Sequence, residues 1–160
     1  MIKVGDKVPA ATLKRMGDSG IEDVTTQDFL AGRKVVLVGV PGAFTPTCAK
    51  EHLPGYIDAA DQFKAKGVDE VACLAVNDPF VMAHWAEQSG AAGKVTLLSD
   101  GNGETTQALG LAFDGSAVGL GTRCKRFAAL IDDGEVKALH VEDNPGVVNV
   151  SGADSLLKDM

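Results

Sequence analysis

The stretch Lys34-Val-Val-Leu-Val-Gly-Val-Pro-Gly-Ala-Phe-Thr-Pro-Thr-Cys48 joins two patterns. Its first half is short, apolar and β-branched and stops at Pro-Gly, as a strand covered on both faces does. Its second half leads into Cys48 to Lys66, where Leu53, Tyr56, Ile57, Ala60 and Phe63 recur at three- and four-residue spacing. That spacing predicts an amphipathic helix ended by Gly67, with Pro54 expected to bend it. The alternation then repeats. Val71 to Val76 reads as a second buried strand, and Asn77-Asp78-Pro79 as the capped start of a helix running to Gly90. Val95 to Leu98 reads as a third strand and Glu104 to Leu109 as a short helix. Arg126 to Ile131 and Val136 to Val141 pair across Asp132-Asp133-Gly134 as a hairpin. Ser151-Gly-Ala-Asp154 offers a capping hydroxyl for a last helix. Strands alternating with helices, then a hairpin and a closing helix, imply an α/β fold with a mixed central sheet and helices on both faces.

Composition narrows the function. The chain has 160 residues, 45% of them apolar and 23% charged, which suits one folded domain spanning residues 1–160 and excludes disorder. Its longest apolar run, Val35 to Val40, is far short of a membrane span. Fifteen basic against 22 acidic side chains give a net charge of -7, so neither nucleic acid nor an anionic membrane is expected as a partner. The first residues carry no secretory signal, and a cytoplasmic location is expected. Cys48, Cys73 and Cys124 are odd in number, widely spaced and without a C-x-x-C, which fits neither a disulfide framework nor a zinc site. His52, His84 and His140 are dispersed, so no metal is predicted, and His52 reads as a helix-surface side chain. Gly101-Asn-Gly103 and Gly119-Leu-Gly121 are turns lacking the rest of a dinucleotide or phosphate-binding motif, and no cofactor is expected.

Chemistry is expected in Pro41 to Cys48, because α/β folds put their sites at the carboxyl ends of strands. With Thr45 near the helix cap and Pro46 at the first helical position, Cys48 falls in the first turn. Free N–H groups and the positive end of the helix dipole favour an anion there. Taken alone, Thr-Pro-x-Cys also suits a capped helix start with an inert thiol. The longer segment Pro41-Gly-Ala-Phe-Thr-Pro-Thr-Cys-Ala-Lys-Glu-His-Leu-Pro-Gly-Tyr56 is far more specific than its pieces.

That segment resembles the active-site motif of the peroxiredoxins, Pro-x-x-x-Thr-x-x-Cys, and in its longer form the type II, atypical group. Gly119 to Ala128 and Val136 to Glu142 are similar to late segments of the same group, and the resemblance runs from about Gly5 to the C-terminus. It implies a thioredoxin-like fold and a thiol peroxidase that reduces hydrogen peroxide and organic hydroperoxides. It places the attacking thiol at Cys48, the threonine at Thr45, the proline at Pro41 and the distant arginine at Arg126, with Arg123 the fallback. On one strand, residues three apart face opposite ways, so only one of the two arginines would face the pocket.

The resemblance also implies that the Cys48 sulfenate is returned to thiol by another thiol. Cys73 matches the second cysteine of plant-type members, yet it sits mid-strand, and resolving thiol and core thiol stay open as readings. Cys124 reads as an idle loop thiol. Without a fused glutaredoxin domain, the reductant is external: glutaredoxin, glutathione or thioredoxin. A homodimer is implied by the same group. Two rival functions remain: a thiol–disulfide oxidoreductase, disfavoured because Thr45 stands where a C-x-x-C would put its first cysteine, and a non-catalytic binding or holdase module docking through Phe44 and Val118 to Leu120.

Overall fold

The computed structural model describes all 160 residues. Its seven-stranded mixed sheet has the order β2-β1-β5-β4-β3-β8-β9. At the centre β3 (Lys34–Gly39), β4 (Glu70–Ala75) and β5 (Thr96–Ser99) run parallel. The hairpin β8 (Phe127–Asp132) and β9 (Glu135–Val141) adds antiparallel to β3. On the other edge lies a hairpin that the sequence reading passed over, β1 (Thr12–Gly17) and β2 (Gly20–Thr25). Its strands alternate charged and apolar residues too weakly to stand out, and they are half exposed. No helix is long and apolar enough to cross a membrane.

Alternation along β3 separates two cores. Val36 and Val38 join Cys73 and Ala128 beneath α2 (Leu53–Ala65), α3 (Pro79–Ser89) and α5 (Ala153–Leu157). Val35 and Leu37 join Ala72, Leu74 and Ile131 on the opposite face, with α1 (Thr26–Leu30) and the segment after α4 (Glu104–Ala108). Such two-sided burial is why these strands read as continuous apolar runs. A two-stranded ribbon, β6 (Ala112–Asp114) with β7 (Thr122–Cys124), lies outside the main sheet and also escaped the sequence reading, each strand being three residues long.

Two local expectations need correction. Ser151 does not cap α5: its hydroxyl donates to Glu142 Oε2 at 2.6 Å, and the residue at the helix start is Gly152. Cys124 is not a loop thiol but a buried strand residue whose Sγ packs beside Gly39, and burial pushes the thiol up to about 12. At Gly39, where β3 turns toward the site, a Cβ would stand 2.1 Å from the Phe127 ring and 3.0 Å from Cys124 Sγ. Gly39→Ala therefore overpacks a closed corner and should lower stability by about 1–3 kcal/mol, read as a lower midpoint in urea denaturation.

Candidate active site

The strand β3 delivers the chain to a tight loop. Pro41 and Gly42 are buried, and Phe44 takes φ 64°, a left-handed conformation uncommon for a side chain of its size. The Thr45 hydroxyl donates to the Gly42 carbonyl at 2.8 Å and closes the loop. Pro46 then opens the helix, whose first bond runs from Ala49 N–H to Thr45 O at 2.9 Å. Cys48 thus occupies the first turn, where backbone N–H groups have no intrahelical partner.

The helix does not simply bend at Pro54. Residues Cys48–His52 form a π-helical turn, with the Leu53 N–H bonded to Cys48 O, before regular α2 begins. Pro54 has no N–H to offer the Lys50 carbonyl and its ring crowds that carbonyl, so widening the preceding turn relieves both problems. Widening also sets where Cys48 and His52 point.

Arg126 lies just before β8 and closes the site. It is 1% exposed, and its guanidinium makes three hydrogen bonds: Nη2 to Cys48 Sγ at 3.0 Å, Nη1 to His52 Nδ1 at 3.0 Å and Nε to the Pro145 carbonyl at 2.9 Å. None reaches a carboxylate. Arg123 does not share a strand with it: Arg123 belongs to β7 of the small ribbon, and it donates to the carbonyls of Pro41 at 3.1 Å and Leu120 at 2.9 Å. The guanidinium that meets sulfur is that of Arg126.

His52 is the residue that sequence reasoning misplaced. It is 1% exposed, not on the helix surface, because the π turn rotates it inward beneath Arg126. A guanidinium only donates, so His52 Nδ1 must accept, and the ring proton sits on Nε2, which donates to Ser151 O at 2.9 Å. The imidazole is thereby held neutral. Burial, reinforced by the Arg126 charge and partly offset by the Ser151 bond, pushes its pKa down to about 4. The signal for this was His52 four residues after Cys48, a spacing that places both on one helix face.

Pro41, Thr45 and Arg126 come together on the wall of one cavity of about 360 Å³, whose other sides include Phe113, Leu120 and Pro145. Cys48 itself is fully buried behind Arg126. A larger recess of about 540 Å³ opens beside Asn77 and Ser99, but it contains neither cysteine nor arginine and so no counterpart of this chemistry. Cys73 is not brought to the site. It lies mid-strand in β4, flanked by Val38 and Leu97, on the same side of the sheet as Cys48, and burial pushes its thiol upward.

The Redoxin family's sequence profile matches residues 3–157. The chain is 51% identical to a chloroplastic peroxiredoxin-2E-2 of Oryza sativa subsp. japonica over 98% of its own length and 72% of the relative's. It is 46% identical to peroxiredoxin-2B of Arabidopsis thaliana, over 98% and 97%. Among solved structures, reduced Prx3 of Vibrio vulnificus in complex with hydrogen peroxide superposes with a TM-score of 0.94 at 46% identity, covering 99% of this chain and 98% of the other.

The neutral His52 makes stability depend on acid. Its folded pKa, about 4, lies below the ~6.5 of an unfolded histidine, so the unfolded chain takes up the proton first. Stability should therefore fall as pH drops from ~6.5 to about 4, by about 3 kcal/mol in all. The carboxyl of Glu142, held below its usual range by Ser151 and backbone N–H bonds that outweigh burial, adds a further loss at more acid pH. Urea denaturation at pH 7, 5.5 and 4.5 checks this; in His52→Gln the slope over the upper window should vanish.

Proposed function

The chain belongs to the Redoxin family as a type II peroxiredoxin, a thiol-dependent peroxidase, and from that premise we propose that Cys48 is the sulfur that attacks the peroxide, with Arg126, Thr45 and Pro41 shaping the pocket. The observation that carries the assignment is the Arg126 guanidinium, buried without a carboxylate and 3.0 Å from Cys48 Sγ. A buried cation persists only when its charge is answered. His52 is neutral and Pro145 offers a carbonyl, so of the three groups that the guanidinium touches the Cys48 sulfur is the one able to carry the answering charge.

The thiolate attacks the terminal oxygen of a hydroperoxide, forming an S–O bond as the O–O bond breaks. Cys48 becomes the sulfenic acid, and the departing alkoxide or hydroxide takes a proton from water to leave as alcohol or water. Thr45 has placed its own hydrogen on Gly42 O, so its lone pairs are free to accept the peroxide O–H. Guanidinium donors and first-turn N–H groups stabilise charge on the departing oxygen. The apolar walls from Phe113, Leu120 and Pro145 suit an alkyl tail and limit water.

Restoring the thiol takes two reducing equivalents from an external thiol, glutaredoxin, glutathione or thioredoxin: the first displaces water and forms a mixed disulfide, the second releases Cys48. Cys73 stays a core thiol in this scheme, since it sits inside a sheet paired on both sides and its burial disfavours the thiolate that exchange requires. A disulfide-exchange enzyme would need a second thiol free to meet Cys48; Cys73 shares its core but is held mid-strand in β4, and Cys124 lies in the opposite core. The exposed apolar side chains Phe44, Phe80 and Val118 are assigned to a homodimer contact rather than to a holdase surface. Phe44 packs against His84 and Trp85 of α3, the helix that carries Phe80, so the two exposed rings stand on adjoining elements.

Cys48→Ser should abolish peroxide consumption with the fold intact, and Arg126→Gln should lower the oxidation rate about 10²–10³-fold. Cys73→Ser should stay within about twofold of the parent when an external thiol is supplied. Peroxide assays with intact-mass measurement after one equivalent of oxidant decide all three, a Cys48–Cys73 bridge being the result against an external reductant. For assembly, Phe80→Glu should convert a dimer to a monomer in analytical ultracentrifugation, and a parent that sediments as a monomer defeats the dimer.

A further inference from the structure

We propose that Glu142 is a positioning residue of this site, acting through Ser151 and His52 to aim the Arg126 guanidinium at Cys48; the inference rests on the thiol-peroxidase reading above. Glu142 is the first residue after β9, 5% exposed, and touches neither Cys48 nor the cavity that holds Thr45 and Arg126. Its backbone N–H bonds to Arg126 O at 2.9 Å, which fixes it beside the arginine's main chain. Its side chain turns the other way. One carboxylate oxygen, Oε2, accepts three consecutive backbone N–H groups, from Asn149 at 2.8 Å, Val150 at 2.9 Å and Ser151 at 2.8 Å, and the Ser151 hydroxyl at 2.6 Å. Successive N–H groups converging on one anion form a concave nest, and bonds to an ionised acceptor are the strong ones.

That nest anchors Ser151 by its N–H and its hydroxyl, and the carbonyl of the same residue, in the next peptide plane, receives His52 Nε2 at 2.9 Å and the Tyr56 hydroxyl at 2.7 Å. The carbonyl can only accept, so it requires hydrogen on Nε2 and leaves the Nδ1 lone pair facing Arg126. If the carbonyl turned away, one of the two constraints on the tautomer would be lost: the buried Nε2–H would have no acceptor, and the form with hydrogen on Nδ1, which confronts the guanidinium with a second donor, would rise in population. Arg126 would lose the bond that sets its tilt, and with it the alignment of Nη2 on the sulfur 3.0 Å away. The chain of contacts runs from Glu142 to Ser151, His52, Arg126 and Cys48, so a carboxylate outside the reacting pocket helps to hold a tautomer within it. The same segment supplies the Pro145 carbonyl to Arg126 Nε and the Gly146 carbonyl to the Thr47 hydroxyl at 2.8 Å, so loosening it at one end disturbs the site at several points.

The test is Glu142→Gln, which keeps the shape and removes the charge. Two readouts are taken on the full chain: imidazole ¹⁵N shifts of His52, which report the protonated nitrogen, and the single-turnover rate of Cys48 oxidation by hydrogen peroxide. The parent should show hydrogen on Nε2. The variant should show a mixture of tautomers and a rate about tenfold lower, the scale of loss when an outer hydrogen-bond partner is removed. An unchanged tautomer overturns the proposal whatever happens to the rate, and so does a shifted tautomer with the rate within twofold of the parent. If Glu142→Gln does not fold, Ser151→Ala removes one of the four bonds and must show the same two changes at smaller amplitude; their absence is equally fatal. The nitrogen measurement needs no peroxide, so a parent that fails to consume peroxide refutes the enzymatic reading, whereas an unmoved tautomer refutes this one.

Discussion

A positive charge sealed from water without a carboxylate beside it is the constraint around which this site is arranged. Arg126 is buried in contact with a sulfur, an imidazole and a main-chain carbonyl. Removing a guanidinium from water carries a cost of several kcal/mol unless an anion answers it. A thiolate is a soft and reactive answer where a carboxylate would be an inert one. In the assignment proposed above, the arginine therefore belongs to the fold and to the chemistry together.

The sheet makes this possible by bringing distant segments to one end. Cys48 follows the central strand β3, while Arg126 enters the neighbouring antiparallel strand β8, so Gly39 pairs with Phe127 and the two functional segments leave that register side by side. A Cβ at Gly39 would collide with the Phe127 ring, and its absence lets that ring close the corner beneath them. Around this end the chain from Glu142 to Ser151 forms a strap whose Pro145 carbonyl completes the arginine's bonds and whose Ser151 N–H is tied back to Glu142. Precision at the sulfur comes from main-chain groups held by rigid strands, whereas the reacting loop itself is short and includes a left-handed phenylalanine.

The three thiols share a residue type and differ in environment. Cys73 and Cys124 sit inside strands, where burial opposes ionisation and adjacent strands restrict the backbone. Cys48 is as deeply buried as either, yet it faces a guanidinium at the start of a helix. Burial alone does not separate an inert cysteine from a reactive one; the charge facing it does.

The sequence by itself determined the α/β alternation, the central strands, the late hairpin and the segment Pro41 to Cys48, because each is written in local periodicity and turn chemistry. Arg126 was legible too, through the resemblance of Lys125-Arg-Phe127 and its neighbours to the family's late segment. The edge hairpin β1–β2 and the ribbon β6–β7 were not, since half-exposed strands and strands of three residues carry little pattern. Only the tertiary structure decided that His52 turns inward, that Ser151 serves Glu142 instead of a helix cap, and that Arg123 sits in the small ribbon while Arg126 leads into the main sheet. The reason is physical: these outcomes depend on a widened helical turn and on partners 74 residues apart, as His52 and Arg126 are, or 78 apart, as Cys48 and Arg126 are. Hydrogen bonds over such separations exist only after the sheet has formed, and no local pattern records them.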